Sequence, residues 1–77
     1  MLVNATIKEE MEYRANCRRY AKKLLEEKGY KHVIYGVGNS FTDWEHEMLK
    51  FEDDKTFDDY VRTLAEDEHP TVYAVHA

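Results

Sequence analysis

Between Thr6 and Gly29 the sequence carries one continuous helical pattern, and residues at both ends mark where it starts and stops. Apolar side chains recur every three or four positions from Ile7 to Lys28, as in an amphipathic helix. Thr6 and Glu9 match the S/T-x-x-E capping box, and Gly29 supplies the left-handed residue that commonly ends a helix. One helix thus takes more than a quarter of the 77 residues, and the remainder must cover its apolar side.

The rest of the chain predicts two clear strands and a second helix. Tyr30–Val37 is rich in β-branched and aromatic residues, as is the closing segment 71–77, so both are predicted strands. Residues 55–67 place four apolar side chains at i, i+3, i+4 and i+7, which predicts a helix with Thr56 as its N-cap. Pro70 blocks the continuation of that helix.

Segment 42–52 fits either a helix or a strand, because its apolar spacing suits both. Two strands alone form a marginal sheet, and a short turn after Val37 favours a hairpin partner. We therefore favour a strand. It would place its side chains on two opposite faces: Trp44, His46 and Met48 on one, and Leu49 and Phe51 on the other.

These elements predict a single α+β domain over residues 1–77, with two helices on one face of a small single-layer antiparallel sheet. The order is (β)αββαβ, where the optional first strand comes from residues 1–7. With that strand the order is the one found in ferredoxin-like folds. The analogy is architectural and implies no function.

The stretch YGVGNSFTDW, from Tyr35 to Trp44, superficially resembles a phosphate-binding loop. A dinucleotide loop needs a third glycine where Phe41 stands, and a P-loop needs a Lys-Ser/Thr pair that is absent. Gly38 and Asn39, in contrast, tolerate the positive φ that hairpin turns require. We expect this stretch to turn the chain rather than to bind a ligand.

No residue set predicts catalysis, a metal site or a cofactor. The single cysteine, Cys17, excludes an intrachain disulfide and falls within the apolar side of the first helix, where a buried thiol is expected. The four histidines lack the short spacings of metal-binding motifs; they are His32, His46, His69 and His76. We expect no enzyme. The absence of a signal peptide or an apolar membrane-spanning run favours a cytoplasmic chain.

Charge is divided unevenly along the chain. Residues 1–40 carry eight Lys/Arg against five Glu, whereas residues 41–77 carry three Lys/Arg against eleven Asp/Glu, for a net charge of -5. Such asymmetry indicates charged partners or self-pairing. The acidic candidate residues are Asp53, Asp54, Asp58, Asp59, Glu66, Asp67 and Glu68. The basic candidates on the first helix are Arg14, Arg18, Arg19, Lys22 and Lys23.

These features favour a small non-enzymatic module whose acidic residues dock on the basic groove of a larger protein, such as a nucleic-acid enzyme. In size and charge alone the chain resembles anti-CRISPR proteins and other phage-encoded inhibitors. Two alternatives stay open. The basic residues of the first helix would bind nucleic acid directly, or the basic and acidic halves of two copies would pair in a self-associating structural protein.

Overall fold

The computed structural model describes residues 6–39, 43–67 and 70–77, except the side chains of Ala65 and Asp67. Their elements are helix α1 (Ile7–Lys28), strands β1 (His32–Gly38) and β2 (Trp44–Phe51), helix α2 (Asp54–Asp67) and strand β3 (Thr71–His76). Two helices and a three-stranded antiparallel sheet confirm the predicted α+β class. The optional first strand, predicted for residues 1–7, falls mostly outside the described residues, and Ile7 itself begins α1.

Helix α1 has the two ends that the sequence predicts. The Thr6 hydroxyl oxygen accepts a hydrogen bond from the backbone N–H of Glu9 at 3.2 Å, and Gly29 has a left-handed φ of 77°. The apolar side is wider than the surface that the sheet covers, because Ile7, Met11 and Tyr20 stay more than half exposed. Only part of the predicted apolar side therefore packs into the core.

The sheet has the order β2-β1-β3, so that β1 pairs with a strand on each side. The predicted strand in segment 42–52 is confirmed as β2, and a hydrogen bond from Asn39 N to Asp43 O closes the β1–β2 hairpin at 2.9 Å. The predicted facing of β2 is also confirmed, since Trp44 packs in the core below α1 while Phe51 contacts α2.

The glycines of the hairpin serve packing rather than turn geometry. Gly36 and Gly38 both lie within β1 and neither has a positive φ, so the expectation that Gly38 turns the chain in that conformation is wrong. A Cβ on Gly36 would overlap the indole ring of Trp44, and one on Gly38 would overlap the backbone of Asp43. Both β2 and β3 shift register against β1 between Ile34 and Gly36, and the indole of Trp44 lies directly on Gly36.

One face of the sheet packs against α1 and forms the main hydrophobic core, which we call the front core. Ala21 and Val33 are fully buried there, and Trp44 is 1% exposed. Half-buried Tyr13 and Met48 close its margin. The members of the front core are Cys17, Ala21, Leu25, Val33, Tyr35, Trp44, Tyr73 and Val75.

The opposite face of the sheet packs against α2. The Phe57 ring stacks on His32 at 4.1 Å between centroids, and it meets Phe51 edge-on at 5.6 Å. Because successive side chains of a strand point to opposite faces, His32 lies on the far side of the sheet from its front-core neighbour Val33. Ile34 shares the face of His32 and is fully buried outside the front core.

The two helices therefore cover opposite faces, and the predicted layout with both on one face is not what the structure shows. The chain forms a three-layer sandwich in the order α1, sheet, α2, which also differs from ferredoxin-like layering. The Cα extents of 36 × 31 × 13 Å agree with a sheet only three strands wide, since strands lie about 5 Å apart. The helices cover opposite faces because β1 has apolar side chains on both faces of the sheet.

Helix α2 begins earlier than the sequence predicts. The carboxylate of Asp53 accepts from the backbone N–H of Thr56 at 2.8 Å, the geometry of an N-cap three residues upstream. Asp53 is thus the cap, and the prediction of Thr56 in that role is wrong. Asp58 and Asp59 consequently fall in the second turn, and Asp54 is the acidic residue of the first turn.

Replacing Gly36 with alanine should lower the free energy of unfolding by about 1–3 kcal/mol, the usual cost of overpacking a tight core. The new methyl group would displace Trp44, the single tryptophan of the chain, so its native fluorescence should shift. Urea unfolding followed by tryptophan emission measures both effects.

The matched control is Gly29→Ala. Its Cβ meets no atom within 4 Å, but its φ of 77° still strains an alanine. It should destabilise the protein without changing the native emission of Trp44. Unchanged emission and stability in Gly36→Ala would contradict the close packing described for the hairpin.

Candidate binding surfaces

The acidic candidates at the start of α2 are held by local contacts. The Asp53 carboxylate accepts from the backbone and from the hydroxyl of Thr56, both at 2.8 Å. Asp54 lies 2.6 Å from the Nε2 of His32 and 3.8 Å from the Nζ of Lys31. Hydrogen bonds to these carboxylates, from Thr56 and from His32 respectively, lower the pKa of Asp53 and of Asp54. Both aspartates therefore stabilise the first turn of the helix.

Asp59 forms a small charge network on the outer side of α2. Its two carboxylate oxygens lie 2.7 Å from the Nζ of Lys55 and 3.9 Å from an Nη of Arg62. The hydrogen bond from Lys55 lowers the pKa of Asp59 and raises the pKa of Lys55. All three side chains are largely solvent-exposed, so the network contributes little stability.

Of the remaining acidic candidates, Asp58 and Glu66 are exposed. Asp58 and Glu66 have no hydrogen bond or ion pair with another described residue, so their charge is available to a partner. The side chain of Asp67 and the whole of Glu68 lie outside the described residues. The described members of the acidic set thus form two groups. Asp53, Asp54 and Asp59 have partners near α2, whereas Asp58 and Glu66 only carry charge.

A polar chain that the sequence did not indicate joins β3, β1 and α2. The Nδ1 atoms of His32 and His76 are 2.7 Å apart, and the Nε2 of His32 contacts Asp54. One imidazole must donate to the other, so only one of the two Nδ1 atoms carries a proton. His32 and His76 are 44 residues apart and meet because β1 pairs with β3. Only the strand register brings them together, and no sequence spacing reveals it.

The basic candidates lie on the opposite layer. Arg18, Arg19 and Lys22 line a groove of about 690 Å³ between α1 and the β3 residues Ala74, Val75 and His76. Among the described residues neither Arg18 nor Lys22 has an ion-pair partner.

The other two basic candidates differ in position. Arg14 lies on the same flank of α1 as Arg18, and its guanidinium lies 3.9 Å from the centroid of the Tyr73 ring, a cation–π contact. Lys23 is exposed and does not line the groove. Arg19, which does, also donates a hydrogen bond to the side chain of Asn16. Four of the five predicted residues therefore form one stripe beside β3, and Lys23 lies apart from it.

Cys17 is buried in the front core, as the sequence predicts. Burial raises the pKa of its thiol, which keeps it protonated and poorly nucleophilic. In the described ranges no three His, Cys, Asp or Glu side chains converge as metal ligands would. Within the same ranges neither helix carries an apolar stretch of membrane-spanning length.

Comparison with known proteins gives no relative, since no protein-family model, curated protein or solved structure matches the chain. The geometry of the charged surfaces is accordingly the ground for a functional proposal.

The lowered pKa of Asp54 predicts a pH-dependent contribution to stability. A carboxyl whose pKa is lower in the folded than in the unfolded state stabilises the fold above its ordinary value of 3.8, and this contribution is lost as the pH falls through the folded value. Asp54→Asn should therefore be less stable than the wild type at neutral pH, and the difference should shrink as the pH falls below 3.8.

Urea midpoints at several pH values, read from tryptophan fluorescence, give this comparison. Asp58→Asn makes the same chemical change on an exposed side chain of α2 that has no hydrogen bond or ion pair with another described residue, so it should not show the deficit of Asp54→Asn at neutral pH. A deficit in Asp54→Asn that persists at acid pH would mean that the contact with His32 is not its source.

Proposed function

We propose that this protein is a non-enzymatic, cytoplasmic binding module that docks through the acidic surface of α2 on a basic surface of a larger protein. Its most concrete form is an inhibitor of the anti-CRISPR kind, which occupies the nucleic-acid-binding groove of its target. The observation that carries the proposal is the position of the two helices on opposite faces of the sheet.

Because the sheet separates the helices, no described ion pair joins a basic residue of α1 to a carboxylate of α2. Helix α1 has seven Lys/Arg against five Glu, and α2 has five Asp/Glu against two Lys/Arg. The described cations that pair with α2 carboxylates are Lys31, Lys55 and Arg62, and all three lie outside α1. An acidic surface that keeps its charge steers association with a basic partner and favours the correct one.

Within this surface the residues have different roles. Asp58 and Glu66 are exposed and contribute charge without a described structural contact, so they are the best positions for testing docking. Asp53 and Asp54 add charge but also stabilise the first turn of α2, so their loss would confuse binding with folding, and the charge of Asp59 is paired with Lys55 and Arg62. Asp67 and Glu68 extend the proposed surface at the end of the helix on sequence grounds alone.

Direct nucleic-acid binding through the basic stripe is the weaker proposal. The described lining of the groove offers no Tyr, Phe or Trp on which a base would stack. The net charge of -5 also opposes phosphate binding. Self-association through the basic and acidic surfaces is a third proposal, which sedimentation at low and high salt tests.

Asp58→Asn/Glu66→Gln should weaken docking and flatten its salt dependence, because it removes two exposed charges from the proposed surface. The free energy of unfolding should change by less than about 0.5 kcal/mol, as for other exposed positions. The measurement is affinity capture from bacterial lysate with tagged protein, with and without nuclease, at rising salt.

The matched control is Glu26→Gln/Glu27→Gln, which removes two exposed carboxylates from α1 on the opposite layer. The proposal is supported if a single protein is captured with or without nuclease, is released by salt, and is no longer captured by the α2 variant while the α1 variant still captures it. Equal capture by the wild type and the α2 variant overturns the acidic docking surface. Capture that disappears after nuclease assigns the function to the basic stripe instead.

A further inference from the structure

We infer that the groove between α1 and the outer edge of β3 binds an extended acidic segment of a partner protein, which joins the sheet as a fourth strand. This surface lies on the opposite layer from the α2 carboxylates, so the inference goes beyond the docking proposed above and does not depend on it. Three features carry it: an edge of β3 with no strand partner among the described residues, a groove that Arg18 and Lys22 line together with Ala74 and Val75, and the similar spacing of these cations and of alternate strand residues.

The sheet edge supplies the backbone contacts. In the described part of the chain β3 pairs with β1 alone, so the outward-facing N–H and C=O groups of Thr71–His76 have no strand partner. An edge of this kind is a template for an added strand, and main-chain hydrogen bonds then provide affinity. The groove is lined by Ala74, Val75 and His76 of this strand on one side and by α1 on the other.

The cations of α1 supply the selectivity. Arg18 and Lys22 are four residues apart on the helix, which corresponds to a rise of about 6 Å. Alternate residues of a strand are spaced by about 6.7 Å and point to the same face. A strand added to β3 would therefore direct every second side chain toward α1 at nearly the spacing of the cations. Carboxylates at alternate positions fit that arrangement.

Arg14 extends the stripe by one more turn of α1. Its guanidinium is held over the Tyr73 ring, and Tyr73 is itself buried in the front core. A side chain that is already ordered loses less conformational entropy when a carboxylate approaches it. Arg14 thus adds positive charge at one end of the stripe, while Arg18 and Lys22 are the cations that line the groove.

The open edge favours a peptide over a nucleic acid. A strand edge presents carbonyl oxygens as well as N–H groups, and the carbonyl oxygens need donors. A phosphodiester backbone has only acceptors to offer, whereas a peptide backbone offers both in register. Side chains of the added strand that point away from α1 would lie beside Val72 and Ala74, which are half-buried and favour apolar neighbours.

A fluorescent peptide of sequence TEVEVEVT tests the inference by anisotropy against the full chain, at an ionic strength where long-range charge is screened within about 8 Å. The wild type should bind it, and Arg18→Glu/Lys22→Glu should raise the Kd about tenfold or more. Lys22→Glu and Lys23→Glu form a matched pair, because they reverse neighbouring lysines inside and outside the groove. The first should weaken binding about three- to tenfold and the second less than about twofold.

Hydrogen exchange then tests strand addition itself. Alternate backbone amides of β3 should exchange more slowly with the peptide bound, and a peptide of the same composition with consecutive glutamates, TVVVEEET, should bind more weakly. Equal effects of the Lys22 and Lys23 variants, or unprotected β3 amides, would overturn the inference. Failure of TEVEVEVT to bind would also overturn it, as would preferential binding of an oligothymidine that depends on Arg18 and Lys22.

Discussion

Strand β1 is enclosed on four sides, and the rest of the structure is arranged around it. It pairs with β2 and β3 along its two edges, and its faces are covered by α1 and α2. Its central residues are buried without a break from Val33 to Gly36. A small chain removes only about 60% of its unfolded surface from water. Placing one apolar strand in the middle of a sandwich lets both amphipathic helices bury their apolar sides against the same sheet.

The elements were readable from the sequence because their signals are local. The capping box at Thr6 and the left-handed Gly29 each involve a few neighbouring residues, whereas β2 was predicted from the need for a third strand, because its apolar spacing also suits a helix. The layering was not readable, because β1 is apolar on both faces and its pattern does not say which helix covers which face. The prediction of Thr56 as the N-cap was wrong because Asp53 and Thr56 are both residue types that suit a cap. The hydrogen bond from Thr56 N to the Asp53 carboxylate identifies Asp53 as the cap.

The charge of the candidate surfaces was predictable from the sequence, but the contacts of their residues were not. The sequence places acidic residues around α2 and basic residues on α1, yet it cannot show that Asp53, Asp54 and Asp59 are held by partners while Asp58 is not. Those partners depend on helix start and strand register. The contact between His32 and His76 is the extreme case, since 44 residues separate two side chains that touch.

The narrow sheet gives the two proposed surfaces a simple relation. The α2 carboxylates project from one layer, and the groove opens beside α1 on the other, so a partner seated on one leaves the second uncovered. They are nevertheless connected, because His76 in β3 contacts His32, which in turn contacts Asp54 at the start of α2. A strand added to β3 would lie against the strand that carries His76. Under the two proposals, one sheet would hold a basic partner and an acidic segment at the same time without bringing their opposite charges together.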